Sequence, residues 1–435
     1  MTAASREARA TGGALPSLQT AVPGPRSMGW VDRLAARECP AITARRARRA
    51  AALGAAADDP IVWAEAHGAN VIDVDDNVFV DMTAGFGVAS VGHGHPAVVA
   101  AMQAQAGRLL HAMGDAFPDP QRILLMERLT ALSGYDRVIF GSSGSDAVEA
   151  ALKTARVATG RDGVLSFEGA YHGLSYGALV ADGYKVNDFR EPFAGQLGPH
   201  VRRAPFGGPL PTLEGLGAVL VEPIQGRGGV RSPPEGWLDA LIEAAHKAGA
   251  VVIFDEIYTG MGRTGRWLRA HGLQRRPDLV CLGKGLAGGY PISACLGTAA
   301  VMDAWGASRG EALHTQTFLG NPVGSAMALA CIDVLEGVLP TIAAKGAALR
   351  ARLEAEGYGV QGEGLLLGVR LPDTLRASRA LLDRGFIVLP AGEQAEVLAL
   401  TPPLTITEAQ LQAFVAALCA VAPAQKAEPG VALGR

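Results

Sequence analysis

In the stretch LVCLGKGLAGGYPI, residues 279–292, Lys284 stands between a short apolar run and a glycine-rich loop. Leu279, Val280, Cys281 and Leu282 read as a buried strand bounded by turn residues. A lysine at the mouth of such a strand is costly unless its charge is used or removed. The ordinary alternative is a surface lysine with its stem laid on apolar atoms. The chain holds six lysines (Lys153, Lys185, Lys247, Lys284, Lys345 and Lys426) among 39 lysines and arginines, so its basic surface is mostly arginine. An amine differs from a guanidinium in that it can deprotonate and attack a carbonyl.

Two other groups could work with that amine. VIFGSSGSDAVEAALKTAR reads as a strand, a small-residue turn and a helix. Ser143, Gly144 and Ser145 then lie at a helix N-terminus, where free N–H groups and the dipole favour an anion, and Gly144 would let a phosphate come close. An ordinary N-cap with Asp146 is an equal reading, and the Gly-Lys-Ser/Thr ending of a nucleotide P-loop is missing. VVIFDEIYTGMGRTGR ends a buried strand in Asp255, 29 residues before Lys284. That leaves room for one helix and the next strand, so both side chains would emerge at the carboxyl edge of one sheet. An acid there could be a cap or a salt-bridge partner; it could also hold a cationic ring nitrogen. A phosphate cradle, a strand-end carboxylate and a strand-end lysine together suggest pyridoxal 5′-phosphate (PLP). Lys284 would supply the Schiff base and Asp255 would keep the pyridinium protonated. The released lysine would then move the proton of the substrate Cα.

These residues need a frame. From residue 91 to 328, helical patterns alternate with the apolar runs RVIF, GVLSF, AVLVEP, VVIFDE and LVCLG. That predicts an α/β fold with a mainly parallel central sheet flanked by helices. Residues 1–25 read as a flexible N-terminal arm available to order on a partner subunit. Residues 26–90 carry an arginine-rich helix (ITARRARRAAAL) and a hairpin turning at Asp75, Asp76 and Asn77 (ANVIDVDDNVFVDM). Residues 329–435 continue a long alanine-rich helix into helices and short strands. The two chain ends are expected to form one smaller α+β domain beside the sheet.

Composition narrows the classes. A chain of 435 residues with a formal charge of −3 has no basic excess for nucleic acid. No apolar run reaches the ~18 residues of a membrane span. Cys39, Cys281, Cys295, Cys331 and Cys419 are scattered with no CxxC pair, which argues against disulfides or a zinc site and for a reducing cytoplasm. His93 and His95 in GHGHP read as turn residues rather than metal ligands. The first residues share a transit peptide's composition without its amphipathic stripe. No internal repeat is visible. A dinucleotide-binding oxidoreductase lacks its Gly-x-Gly-x-x-Gly turn, and a PLP-binding regulator lacks a helix-turn-helix.

From about Trp63 to Thr407 the sequence resembles the class III (ornithine/4-aminobutyrate type) PLP-dependent aminotransferases of fold type I. The motifs occur in family order: MTAGFGVASVGHGHP at 82–96, Ser143-Gly144-Ser145, AYHG at 170–173, EPIQG at 222–226, FDEIYTGMGRTG with Asp255, GKGLAGGYP with Lys284, and HTQTFLGNP at 314–322. The resemblance implies that Tyr171 stacks on the cofactor ring with Ile257 on the opposite face. It places Gln225 near the ring hydroxyl and Glu222 among the cofactor contacts. It sends Thr317 to the phosphate of the neighbouring subunit, hence a homodimer with shared sites. Phe86 and Arg227 are candidate substrate contacts. The implied reaction moves an amino group from an amino acid or amine to an oxo acid, 2-oxoglutarate or pyruvate; an aminomutase, racemase or decarboxylase shares the cofactor.

Two departures stand out. Where many relatives carry a carboxylate-gripping arginine three residues before a PPLTIT-like segment, this chain has Ala399. Where they read EPIQGEGG, it has Arg227 in place of the acid. The pair reads as a charge swap that moves the carboxylate clamp to Arg227. An ion pair of Arg227 away from the substrate is the alternative.

Overall fold

The computed structural model describes residues 3–40, 50–51, 53, 60–307 and 310–424, the first four of them as backbone. The arginine-rich stretch 42–53 lies almost wholly outside the described residues. Fifteen strands occur among those described: β1 (Trp63–His67), β2 (Asn70–Asp73), β3 (Val78–Asp81), β4 (Arg137–Gly141), β5 (Gly163–Phe167), β6 (Val201–Ala204), β7 (Leu216–Val221), β8 (Val251–Asp255), β9 (Leu279–Leu282), β10 (Ser293–Gly297), β11 (Val360–Glu363), β12 (Leu366–Arg370), β13 (Phe386–Ile387), β14 (Leu389–Ala391) and β15 (Val397–Leu400).

The central sheet has seven strands in the order β4-β10-β9-β8-β7-β5-β6. β10 runs antiparallel to both its neighbours; the pairs from β9 to β6 are parallel. Strand alternation assigns its faces. Val251 and Ile253 of β8 pack with Ala147, Val148, Ala151 and Ala155 of the Gly144–Thr159 helix. Val252 and Phe254 point the other way, into the core that holds Leu241 and Ile242 of the Trp237–Lys247 helix. The sheet is therefore covered on both sides, as its unbroken apolar strands require.

The Pro322–Ala355 helix runs beneath this core and passes through Pro340 without ending. It packs against the Pro96–Ala106 and Pro120–Ser133 helices. By length and composition it could cross a bilayer, with a mean hydropathy of 1.7 in its most apolar window. Gly, Ser and two acids interrupt its apolar residues, so no unbroken run was visible. Its Cys331, Ile332, Leu335, Ile342, Leu349 and Leu353 are buried in the protein core.

Two four-stranded sheets flank the core: β1-β2-β3-β13, and the antiparallel β11-β12-β15-β14. The β2–β3 hairpin turns where expected, with Asp76 at φ 66°. Pairing of β13 with β3 places Phe386 opposite Val80. The N-terminal segment departs from the flexible arm that composition predicts. After the Ala3–Thr11 helix its backbone docks on its own chain: Ala14 N–H donates to Asn70 Oδ1 (2.8 Å), Thr20 N–H to Asn77 Oδ1 (3.0 Å), and Ser17 bridges Val78. The attachment runs through main-chain groups and two buried asparagines, so a segment of Ala, Ser, Thr and Gly carries it without an apolar stripe.

Candidate active site

β8 and β9 are parallel neighbours with Asp255 opposite Cys281, so Asp255 and Lys284 leave the sheet at the same edge. Lys284 begins a short 3-10 turn at φ 40°, a conformation that costs an L-residue of order 1 kcal/mol or more. Its Nζ lies 4.7 Å from the ring centroid of Tyr258. Burial pushes its amine below the usual lysine range; Asp255 and Glu222 act against that shift and Arg227 with it. The neutral amine, which burial favours here, is the form that attacks a carbonyl.

Behind Asp255 stands a residue whose role the sequence did not reveal. Nδ1 of His172 lies 2.7 Å from Asp255 Oδ2, and both side chains are almost fully buried. The other carboxylate oxygen accepts from Ile257 N–H at 3.1 Å. Burial works against a charged His172, yet the hydrogen bond and charge of Asp255, with Glu222 and Asp182, raise its pKa. Asp182 accepts from His172 N–H at 2.6 Å. Burial lifts the Asp182 carboxyl to about 7. Glu222 accepts from Tyr171 N–H and Gly226 N–H and is likewise lifted to about 7, by burial first and by Asp255. The floor of the site is thus three buried acids around one imidazole. His172 follows Tyr171 in AYHG; only the fold shows which acid it meets.

The helix start carries the N-cap that was one of the two sequence readings. Ser143 and Asp146 form a capping box in which Asp146 Oδ2 accepts from Ser143 N–H (2.8 Å) and Ser142 N–H (3.0 Å). The anion-facing N–H groups left at this end are therefore those of Gly144 and Ser145. The close approach that Gly144 permits is to Ile257: a Cβ there would come 2.8 Å from Ile257 Cδ1. Packing on Ile257 thus gives glycine at 144 a second reason, beside the close phosphate approach that the sequence suggests.

On the open side, the Arg227 guanidinium lies over three rings, with its Cζ 4.4 Å from the centroid of Tyr171, 5.5 Å from Tyr184 and 5.9 Å from Phe189. No carboxylate pairs with it among the described residues. Gln225 donates its amide to Glu168 O (2.9 Å), while its buried Oε1 finds no donor among the described residues. Phe86 is 54% exposed on a left-handed turn running through Ala84, Gly85, Phe86 and Gly87. That turn borders the site through Gly87, whose Cβ would meet the Tyr258 ring at 2.6 Å. Thr317 is exposed, and its neighbour Gln316 accepts from the Ser142 hydroxyl at 3.5 Å, beside the helix start. Ala399 is buried in an apolar patch with Ile224, Val230, Leu366 and Ala391, beside Tyr258. His93 reaches the buried Asp81 (2.9 Å), and His95 caps the Pro96–Ala106 helix. No group of three or more His, Cys, Asp or Glu side chains is arranged to hold a metal ion among the described residues.

A lysine and a carboxylate at one sheet edge, beside a helix N-terminus, form the arrangement a PLP site requires. A profile of the aminotransferase class-III family matches residues 53–421. The chain belongs to the class-III aminotransferase family. The acetylornithine aminotransferase of Mycobacterium leprae is 38% identical over 391 residues, covering 85% of this chain and 93% of that one. The acetylornithine aminotransferase of Methanopyrus kandleri is 38% identical over 372 residues, covering 82% and 93%. Among solved structures, the ornithine aminotransferase of Toxoplasma gondii ME49 superposes with a TM-score of 0.77 at 30% identity, covering 84% of this chain and 90% of that chain. A PLP-bound amine transaminase from an uncultivated Pseudomonas species gives 0.77 and 30%, covering 84% and 95%. This class-III aminotransferase thus has the type I fold and the PLP dependence that the sequence implied. The side chains present fit the cofactor: an acid backed by a buried imidazole for a ring nitrogen, two unbonded N–H groups for a phosphate, and an orphaned acceptor on Gln225 for a hydroxyl. When bound, PLP supplies the electron sink for the pair left at the substrate Cα.

Proposed function

We propose that this aminotransferase takes its amino group from an amino acid or amine and gives it to an oxo acid such as 2-oxoglutarate or pyruvate, with Arg227 holding the carboxylate. The observation that carries this reading is the guanidinium of Arg227, exposed on an aromatic bed and free of any carboxylate among the described residues. A carboxylate leaving water needs a charged partner, and the planar guanidinium suits it best. The wall at Ala399 is apolar, so it offers no second cation.

In this reading Lys284 carries the cofactor and, once displaced by the donor, takes the proton from the substrate Cα. Asp255, held by His172, keeps negative charge beside the ring nitrogen. The helix start at Ser143, Gly144 and Ser145 receives the phosphate, Gln225 accepts the ring hydroxyl, and Tyr171 and Ile257 bracket the ring. Glu222 fixes the Tyr171 and Gly226 backbones under it. Phe86 contacts the substrate from its turn. Thr317 completes the site of a second subunit in a homodimer. The unpaired state of the five cysteines supports a cytoplasmic enzyme.

Two measurements test the reading. Borohydride reduction of the yellow protein, followed by peptide mapping, should fix the cofactor on Lys284; a label on another lysine rejects the assignment. Arg227→Ala should lower kcat/KM for oxo acids about 10- to 100-fold, or ~1.4–2.8 kcal/mol, and leave amines without a carboxylate much less affected. An equal loss with both substrate classes removes Arg227 from the clamp.

A further inference from the structure

Tyr258 received no role from the sequence, yet its ring is fixed in the site from several sides. A Cβ on Gly226 would come 2.0 Å from this ring, and one on Gly87 2.6 Å, so neither position admits a side chain while the ring is there. The ring also closes the apolar patch around Ala399. Its hydroxyl lies 3.3 Å from Thr401 Oγ1. The Thr401 hydroxyl donates its own proton to Thr83 O at 3.0 Å, so Tyr258 is the donor in the pair. Burial raises the phenol above its ordinary range. A neutral phenol with its proton committed is neither acid nor base here. What it offers the chemistry is a ring face, and the amino group of Lys284 rests on it.

We infer that Tyr258 is a positioning residue for Lys284: its ring is the seat of the lysine amine while that amine is not joined to the cofactor. The inference rests on Lys284 being the cofactor lysine. From this seat the amine takes the substrate proton; the Cα–H bond breaks, Nζ becomes an ammonium, and the electron pair stays with the carbon. An aromatic face stabilises a cation within ~6 Å of its centroid. The groups facing Lys284 are Asp255 at the end of β8, Glu222 and Arg227 after β7, and Tyr258. The two acids favour the ammonium and Arg227 opposes it. The ring favours it without competing for the proton.

The test uses holoenzyme and 2-methylalanine, a donor with no Cα–H, which displaces the lysine and cannot lose a Cα proton to it. The pH midpoint of the visible absorbance at saturating 2-methylalanine then reports the titration of freed Lys284. Tyr258→Phe keeps the ring and should keep the wild-type midpoint. Tyr258→Leu and Tyr258→Gln should both lower it by about 0.5–1 pH unit, the size of a lost cation–π contact. Single turnovers with a Cα-deuterated donor should show a larger isotope effect in these two variants than in the wild type. Two ring-deleting variants are used because one of them can fail to fill the gap. An unmoved midpoint and isotope effect in a ring-deleted variant that retains cofactor overturns the inference. So does a phenylalanine variant that shifts like leucine, since the hydroxyl would then be the active part. Borohydride mapping separates the two assignments: a label away from Lys284 rejects the cofactor lysine, whereas a label on Lys284 with an unmoved midpoint rejects only the seat.

Discussion

Glu222 and Asp182 each hold a proton up to about 7 in the fold, against ordinary values of 4.5 and 3.8. His172 is shifted in the same direction. The folded protein therefore binds more protons than the unfolded chain through this window. The resulting stability is fully present below the ordinary carboxyl range and is lost as pH rises through about 7. The cofactor-free protein should melt at a higher temperature at pH 6 than at pH 8. Glu222→Gln, which cannot titrate, should narrow that gap; a protein that melts at the same or higher temperature at pH 8 contradicts the assignment. At this scale the sequence told unevenly. Lys284 and Asp255 were legible because a charged residue ending an apolar strand is conspicuous by type and place. His172 and Tyr258 were not, because each matters through a contact that only the fold makes, His172 with Asp255, 83 positions away, and Tyr258 with the Lys284 amine laid on its ring.

Elements were legible where their faces were. The five apolar runs read in sequence are β4, β5, β7, β8 and β9. β6 and β10 went unread: VRRA is an edge strand with an exposed arginine, and SACLG is built of small residues that suit any structure. The long Pro322–Ala355 helix allows propensity and packing to be separated. A Cβ at the buried Gly346 would come 2.1 Å from Gly364 O, whereas at the exposed Gly337 it would meet nothing within 4 Å. Gly337→Ala should stabilise the protein by up to ~1 kcal/mol. Gly346→Ala gains the same propensity but forces helix and β11–β12 turn apart, and should cost ~1–3 kcal/mol net. Thermal melts of the two variants check this; shifts of the same sign would show that the helix and the turn separate freely.

At the scale of the whole molecule, the proposed homodimer has a surface to use. Leu110, Met113, Phe117, Leu313 and Phe318 are all more than half exposed, with Leu313 at 75% and Phe117 at 70%. The two segments adjoin: the rings of His111 and Phe318 lie 5.5 Å apart, and Thr315 bonds to Asp115. Thr317 lies between Gln316 and Phe318 on this apolar ground, where a twofold axis would carry it to a second site. Phe117→Asp should convert dimers to monomers in sedimentation and abolish most turnover. A variant that stays dimeric rejects this face as the interface. Nothing in the sequence marks the patch, since an exposed leucine and a buried one are written alike.

The pairing of β3 with β13 ties Val80 to Phe386, about 300 residues later. On a ribosome adding ~5–20 residues each second, that interval lasts roughly 15–60 s. During it the hairpin of β2 and β3 waits with an open apolar edge, the kind of edge that recruits strands from other chains. Slow stretches of translation between these positions would lengthen the wait, so yield of soluble enzyme should depend on elongation rate and on holdase chaperones more than on the stability of the finished fold.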